Sequence, residues 1–362
     1  MSMDYGLLIL VIFMVIFGLV MLYSTSKWNG EVKFHDSAYY VKRQIFATTL
    51  GICVMMFIAT IDYRYLAKYA VAGYVLSLIL SSAVLFVGDS YNGSKRWLSL
   101  GPLSFQPSEY AKVAVILFLA YFISHSKKKQ TSLFSLIKVL LTVLPIVGLV
   151  GTNNLSTAII ILGIAVILVF VSNPKYLQFI GMGGLGVGFI AIFLSLESYR
   201  MERLKIWRNP EAFEKGYQTL QGLYAIGSGG LFGKGLGESI QKLGFVPEAQ
   251  NDMIFSIICE EFGLVGAWIL IFLFLLMIWR FMVIASHAED LFGSLIVTGI
   301  MGHIAIQVIL NIAVVTNTIP NTGITLPFIS YGGTSVLFLL AEMGLALSVS
   351  RFKEPLLQQK SQ

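Results

Sequence analysis

The feature that most constrains this chain is a series of apolar runs, each about as long as a membrane-spanning helix, which needs ~20 residues. Charge, proline, glycine or asparagine bounds each run, and little of the chain is left for a soluble domain. Hydrophobic residues make up 56% of the 362 positions and charged residues only 12%, whereas about a quarter of a soluble domain is charged. We therefore predict an all-α polytopic membrane protein with about ten transmembrane helices. The runs lie at 5–24, 45–61, 70–88, 107–124, 134–151, 155–172, 176–195, 253–279, 290–316 and 332–350.

The orientation in the membrane follows from the basic residues. With ten spans both termini lie on one side, whose segments carry ten Lys and Arg residues, while the short loops opposite carry six. Because cytoplasmic loops are enriched in these residues, we expect cytoplasmic termini. Only three residues, 152–154, separate the fifth and sixth runs. One broken helix there would give nine spans and an outer C-terminus, so that alternative stays open.

The domain prediction is a single transmembrane domain over residues 1–351, with a cytoplasmic tail at 352–362. A long extracytoplasmic loop occupies about 196–252. Basic and apolar residues alternate near its start with the spacing of a short amphipathic helix, which either lies on the membrane surface or is solvated. The glycine-rich stretch "GSGGLFGKGLG" that follows fits neither the P-loop nor the dinucleotide-binding pattern. The net charge of +6 suits anionic headgroups and phosphorylated lipids, and we see no nucleic-acid-binding motif.

Polar residues that are candidates for catalysis or substrate binding lie at the predicted outer ends of spans. Arg96 and Trp97 precede the fourth run, Glu109 and Lys112 lie in its first turns, and Asp252 begins the eighth. Structural alternatives exist for each: Asp252 is a favourable helix N-cap, and Glu109 and Lys112 are spaced as an intrahelical ion pair.

Further ionisable groups lie inside the predicted spans. Glu260 and Glu261 lie just over two helical turns beyond Asp252. At about 100° per residue Glu261 points opposite Asp252 and Glu260 points about 80° away, so a catalytic pair with Asp252 is not expected. For the remaining intramembrane polar residues we prefer hydrogen bonds between helices. These residues are His303, Gln307, Asn311 and Glu342.

Four motifs occur in a fixed order: "KRWLSLGPLSFQPSEYAKVA", "YQTLQGLYAIGSGGLFGKGLG", "VPEAQNDMIFSIICEEFGLVGA" and "ITLPFISYGGTS". In this order the chain strongly resembles the shape, elongation, division and sporulation (SEDS) family of FtsW, RodA and SpoVE, over nearly its whole length. The run "LPFISYGGTS" is closer to the FtsW and SpoVE type than to RodA. The chain departs from the family at "TNNLSTA", where Asn154 replaces a frequent Asp, so no role of that Asp carries over.

The resemblance implies a peptidoglycan glycosyltransferase that polymerises lipid II at the outer face of the bacterial cytoplasmic membrane. The implied partners are a class B penicillin-binding protein, which is a transpeptidase, and other divisome or elongasome membrane proteins. Two alternatives remain: a flippase or transporter of lipid-linked precursors, and a non-catalytic scaffold for the transpeptidase. The sequence does not decide between division, elongation and sporulation.

The resemblance also implies the site residues. Asp252 matches an essential Asp, which we predict to act as the general base on the acceptor sugar. The predicted substrate-binding residues, with the cations holding the leaving diphosphate, are Arg96, Trp97, Glu109, Lys112, Arg203 and Ser330. No cofactor is certain. A divalent cation, Mg²⁺ or Mn²⁺, is possible beside Asp252, although no ligand cluster demands one.

Overall fold

The computed structural model describes residues 3–91, 94–100, 103–126, 133–172 and 198–352. Eight of its helical segments are long and apolar enough to cross a membrane, and Ile137–Asn153 forms a shorter apolar helix. Nine of the ten predicted runs are therefore helical, and the run at 176–195 lies outside the described residues. The first six helices are α1 (Tyr5–Phe34), α2 (Tyr39–Thr60), α3 (Ala70–Val87), α4 (Pro107–Ser124), α5 (Leu133–Asn153) and α6 (Leu155–Ser172). The remaining five are α7 (Ser198–Arg208), α8 (Tyr217–Ser228), α9 (Ile254–Ser286), α10 (Leu291–Val315) and α11 (Gly333–Arg351).

Helix α10 lies at the centre of the bundle, where it packs against α4, α6, α9 and α11. Its polar residues are buried and therefore bond to neighbouring helices and loops, since lipid offers no partner for a polar group. Large apolar side chains face outward on α1, α2, α3 and α9, as expected where the surroundings are lipid tails. Short 3-10 helices precede α3 and connect α7 to α8, at Tyr63–Tyr69, Pro210–Ala212 and Glu214–Gly216.

The fifth and sixth runs form two helices rather than one broken helix. The backbone leaves the helical conformation at Asn154, and α5 and α6 then pack side by side. The Asn154 side chain accepts a hydrogen bond from the Thr157 amide at 3.2 Å, which is the bond that an N-cap residue makes. Asn154 therefore starts α6 at the turn where the chain reverses.

Helix α1 extends beyond its apolar run, which was predicted to end at residue 24. Its polar C-terminal half packs against α9 and the segment that precedes α9. The Ser24 hydroxyl donates to Glu261 at 2.7 Å, and the Asn29 amide donates to Gln250 at 3.0 Å. The helix ends at His35, which has a left-handed backbone conformation. Tertiary hydrogen bonds thus support helix where hydropathy predicted a loop.

A small antiparallel sheet fills the connection between α3 and α4, which the sequence analysis treated as a loop. It consists of β1 (Asp89–Tyr91), β2 (Ser94–Leu100) and β3 (Leu103–Phe105), in the order β1-β2-β3. Asp89 pairs with Trp97, and Leu98 pairs with Phe105. The sheet fixes the positions of Arg96 and Trp97 at the end of the bundle.

Helix α9 is interrupted at Gly263, whose φ of +68° lies in the left-handed region. The glycine-rich stretch enters this break: the Gly235 amide donates to the Glu261 carbonyl at 2.9 Å, and the Leu264 amide donates to the Gly230 carbonyl at the same distance. Backbone groups that the break leaves without helical partners are satisfied in this way. The single apolar run at 253–279 predicted an uninterrupted helix.

We expect Gly263→Ala to lower the free energy of unfolding by about 1–3 kcal/mol, because alanine is strained at positive φ. The added Cβ would also lie 2.4 Å from the Gly233 nitrogen. Thermal unfolding in detergent measures the effect. Gly148→Ala is the matched control, since Gly148 lies within α5 and its Cβ would meet nothing within 4 Å. Equal melting temperatures for the two variants would contradict a structural role for the break.

Candidate active site

A cavity of about 1080 Å³, lined by both polar and apolar side chains, opens between the helices at one end of the bundle. Its walls come from the first turns of α2, α4, α6 and α11, and from the segments that precede α9 and follow α10. These helix ends lie on the side predicted to be extracytoplasmic. Five of the predicted site residues line this cavity together: Arg96, Trp97, Glu109, Lys112 and Asp252.

Asp252 is held by its backbone as well as by its side chain. The Asn311 amide of α10 donates to the Asp252 carbonyl at 2.8 Å and to the Ile324 carbonyl at 2.7 Å. The Gln218 amide of α8 donates to the Asp252 carboxylate at 3.3 Å. Three separate segments therefore fix the position of this carboxylate, which is only 8% exposed.

The surroundings of Asp252 change its acidity. Burial, assisted by the negative charge of Glu248, raises the pKa of the Asp252 carboxyl to about 7. The positive charge of Arg203 and the hydrogen bond from Gln218 act in the opposite direction. A carboxyl with a pKa near neutrality can accept and release a proton at physiological pH.

Lys112 lines the same cavity as Asp252 and is almost completely buried, at 2% exposure. Its ammonium group contacts the Glu109 carboxylate at 3.0 Å and donates to the Gln307 side-chain oxygen at 3.3 Å. The Glu109–Lys112 pairing predicted from their spacing is therefore present. The second Glu109 carboxylate oxygen is buried and has no hydrogen-bond partner, so it can accept a bond from a group that enters the cavity.

A chain of buried polar groups continues from Lys112 into the bundle. The Gln307 oxygen that accepts from Lys112 also lies 2.8 Å from His303 Nε2, and His303 Nδ1 lies 2.8 Å from the Glu342 carboxylate. The Gln307 amide nitrogen donates to the Thr325 carbonyl at 3.0 Å, which fixes the orientation of the side chain. The predicted hydrogen bonds between helices are present, and they also hold the acceptor that faces Lys112.

Arg96 reaches the turn between α5 and α6. Its Nε donates to the Asn153 carbonyl at 2.8 Å, and both Arg96 and its neighbour Trp97 contribute to the cavity wall from β2. Anchoring through Nε orients the guanidinium relative to the wall. The predicted proximity of Arg96 to Lys112 thus depends on a strand that the sequence analysis did not anticipate.

Arg203 and Ser330 are not among the residues that line the cavity. Arg203 Nη1 donates to the Asn321 carbonyl at 3.0 Å, and its charge acts on Asp252. The Ser330 hydroxyl donates to the Asn251 carbonyl at 2.6 Å and accepts from the Leu326 amide at 2.8 Å. Ser330 therefore holds the backbone beside Asp252 in place.

Three basic lining residues did not appear among the predicted site residues: Lys33, Lys42 and Arg43. In the sequence these residues were used only to assign the orientation in the membrane. In the structure they bring three positive charges to the cavity wall formed by α1 and α2. Lys42 pairs with Asp36 at 2.7 Å, and the pKa of the Asp36 carboxyl is lowered mainly by this bond. The cluster of basic residues at the same predicted membrane face was the signal available in the sequence.

Glu260 and Glu261 make no contact with the Asp252 side chain and instead bind lysines of the glycine-rich stretch and of the residues that follow it. Glu260 pairs with Lys234 and Glu261 pairs with Lys242, each at 2.6 Å. Among the described residues, no group of three or more His, Cys, Asp or Glu side chains is placed to hold a metal ion. The possible divalent cation beside Asp252 stays a prediction.

The fold and the site define a multi-pass membrane protein with a cavity at one end of its helix bundle. A carboxyl whose pKa is about 7 and several cationic side chains line this cavity. The sequence profile of the cell cycle protein family of FtsW, RodA and SpoVE matches residues 5–355. The chain therefore belongs to this family, as the order of the motifs indicated.

Individual relatives span nearly the whole chain. Stage V sporulation protein E of Bacillus subtilis is 39% identical, over 97% of this chain and 98% of its own. A probable peptidoglycan glycosyltransferase FtsW of Trichlorobacter lovleyi is 36% identical, over 96% and 93% respectively.

Two solved structures share the fold. A chain from a structure described as a peptidoglycan synthase complex that coordinates polymerization and crosslinking superposes with a TM-score of 0.83, at 30% identity and over 98% of this chain and 99% of its own. The rod shape determining protein RodA of Thermus thermophilus gives a TM-score of 0.73 at 29% identity, with the same coverage.

We expect Lys112→Met to lower the free energy of unfolding by about 3–5 kcal/mol, because it leaves the Glu109 carboxylate buried without a cation. The double variant Lys112→Met with Glu109→Gln should recover part of this loss, because it removes the uncompensated charge. Thermal unfolding of the single and double variants measures both effects. Lys42→Met is the matched control, since the Lys42–Asp36 pair is exposed and screened by water. A double variant less stable than Lys112→Met alone would contradict the ion-pair interpretation.

Proposed function

We propose that this chain is a peptidoglycan glycosyltransferase that polymerises lipid II into glycan strands at the outer face of the bacterial cytoplasmic membrane. The observation that carries the proposal is the shared cavity, where the Asp252 carboxyl, with a pKa of about 7, faces the same space as Lys112 and Arg96. The relatives named as probable peptidoglycan glycosyltransferases support the same activity. The position of the cavity at helix ends lets sugars stay in water while isoprenoid tails stay in lipid.

Asp252 acts as the general base. Its carboxylate removes the proton from the 4-hydroxyl of the acceptor GlcNAc as the oxygen attacks C1 of a lipid-linked MurNAc. The new bond joins this oxygen to C1, while the bond from C1 to the diphosphate oxygen breaks. The polyprenyl diphosphate leaves with the electron pair. A single displacement of this kind inverts the configuration at C1.

Cations stabilise the charge that develops on the departing diphosphate. Lys112 and Arg96 occupy the cavity wall for this task, and Arg203 adds positive charge near Asp252. Glu109 holds the Lys112 ammonium at 3.0 Å and Gln307 holds it from the other side. Trp97 contributes an apolar surface beside the sugars, and Ser330 acts through the backbone of Asn251.

The topology follows from the same reasoning. Both termini are cytoplasmic, residues 1–351 form one transmembrane domain, and the tail at 352–362 is cytoplasmic. The loop of about 196–252 is extracytoplasmic, which places Asp252 at the outer face. A class B penicillin-binding protein is the proposed transpeptidase partner, supported by the likeness to a chain of a peptidoglycan synthase complex. Other divisome or elongasome membrane proteins complete the proposed assembly.

We expect Asp252→Asn to lower glycan synthesis from purified lipid II by about 100-fold or more, because the amide cannot accept the proton. The length and amount of glycan, resolved on a gel, measure the effect. Asp62→Asn is the matched control: Asp62 caps the short helix at the opposite end of α2, and asparagine also caps helices. This control should keep full activity.

Two results would count against the proposal, one from this synthesis assay and one from a separate assay of lipid II movement in vesicles. Full glycan synthesis by a folded Asp252→Asn protein would refute the base assignment. Movement of lipid II across vesicle membranes by the unchanged protein, without any glycan product, would instead favour a flippase.

We expect glycan synthesis to rise with pH through about 7, because the base must be ionised and burial raises the pKa of Asp252 to about 7. Glu248→Gln should shift this rise to lower pH, since the Glu248 charge raises that pKa. Gln218→Leu should shift it to higher pH, because it removes a hydrogen bond that favours the ionised carboxylate. The pH dependence of the initial rate measures both shifts. Shifts in the same direction for the two variants would contradict the assignment.

A further inference from the structure

The segment 230–245, which connects α8 to the chain before Asp252, exposes a dense set of large apolar side chains. Phe232 is 80% exposed and Leu231 is 62% exposed. Soluble protein surfaces rarely carry so many apolar groups in one short stretch, and such patches mark contacts with a partner or a membrane. The other exposed members are Leu236, Ile240, Leu243 and Phe245.

One end of the segment is bonded to α9 at the level where its lipid-facing surface begins. The Leu264 amide donates to the Gly230 carbonyl at 2.9 Å, and the Val265 amide donates to the Leu231 carbonyl at 3.0 Å. Exposed apolar residues of α9 run from Leu264 to Met282. These 19 residues span ~28 Å of helix, close to the ~30 Å thickness of the hydrocarbon core. The bonded end of the segment therefore lies at one edge of that core.

The other end of the segment lies against α1. A Cβ at Gly244 would lie 2.5 Å from the Trp28 ring, and Lys242 donates to the Ser24 hydroxyl at 2.9 Å. Trp28 follows the exposed apolar face of α1 and is itself 38% exposed. Tryptophan is enriched at the boundary between membrane and water. The segment thus joins the lipid-facing surfaces of two helices into one continuous surface.

Two of the charges in the segment point inward. Lys234 pairs with Glu260, and Lys242 pairs with Glu261. The Glu260 carboxylate also accepts from the Ile240 amide at 3.3 Å. These contacts fix the backbone while the apolar side chains stay outside, which is the arrangement of a peptide that lies in a membrane interface.

We propose that segment 230–245 is an interfacial anchor, whose apolar side chains insert into the outer leaflet beside α1 and α9. The occupant of this surface is phospholipid acyl chain. The anchor fixes the depth of the chain that leads to Asp252, so the cavity stays at the membrane surface. This proposal needs the outer orientation of the loop and does not depend on the chemistry of Asp252.

Spin labelling in lipid nanodiscs tests the anchor. A nitroxide is attached at Phe232→Cys or at Leu236→Cys, in a background carrying Cys53→Ala and Cys259→Ala, since both native cysteines are free. Collisions with oxygen, which concentrates in hydrocarbon, are compared with collisions with a water-soluble nickel chelate. Ile269→Cys on the lipid-facing surface of α9 is the lipid control, and Glu211→Cys, which is exposed, is the water control.

The expected result is a preference for oxygen at 232 and 236 that matches residue 269, with a preference for nickel at 211. A preference for nickel at both test positions would overturn the proposal, because the segment would then stand in water. Low accessibility to both reagents at both positions would also overturn it, in favour of a protein contact. The spin labels report where the segment lies relative to lipid and water, whereas the glycosyltransferase proposal is tested by glycan synthesis. Failure of the anchor proposal is therefore distinguishable from failure of the glycosyltransferase proposal.

Discussion

The structure of the site depends on the Asn311 side chain, which donates its two amide hydrogens to the Asp252 and Ile324 carbonyls. This amide joins two irregular segments that meet inside the end of the bundle, where unpaired backbone groups are costly. Ser330 and Tyr331 reinforce the junction through the Asn251 and Gln250 carbonyls. Because both segments are fixed, the Asp252 carboxyl can be buried while it still faces the cavity, and burial is the main reason for its raised pKa.

A second consequence of the low-polarity surroundings is that charges are paired along a continuous path. The path begins at the cavity with Glu109 and Lys112. It continues through Gln307 and His303 of α10 and ends at Glu342 of α11. Each member supplies a partner that another member needs, and none can be removed without leaving a buried polar group without a partner. The lysine that lines the cavity is thereby held in one position. Such preorganisation favours stabilisation of charge that develops during a reaction.

The sequence was sufficient for the described spans and for five of the residues that line the cavity. Hydropathy located nine helices of the described chain, and helical spacing predicted the Glu109–Lys112 pair. The family motifs pointed to Asp252, Arg96 and Trp97. Hydropathy could not predict the extension of α1 to Phe34, because that extension depends on tertiary hydrogen bonds from its polar residues. The short strands of the α3–α4 connection carry too few residues for a clear alternating pattern.

The break in α9 could not be predicted from the sequence for a different reason. Gly263 lies in an apolar run that continues on both sides, and the segment that fills the break comes from some thirty residues earlier in the chain. Glu260 and Glu261 lie 26 and 19 residues from the lysines that neutralise them, so a linear pattern carries no sign of these contacts. Ser330 illustrates a related limit, because a motif identifies a residue without saying whether its hydroxyl faces the ligand or the backbone.

The most direct test of the central claim is a structure of the protein with lipid II and a non-reactive acceptor bound. The mechanism predicts the acceptor 4-hydroxyl within about 3 Å of the Asp252 carboxylate, with the diphosphate of the donor against Lys112 and Arg96. A diphosphate bound against Asp252, or an acceptor hydroxyl on the far side of the cavity, would contradict it.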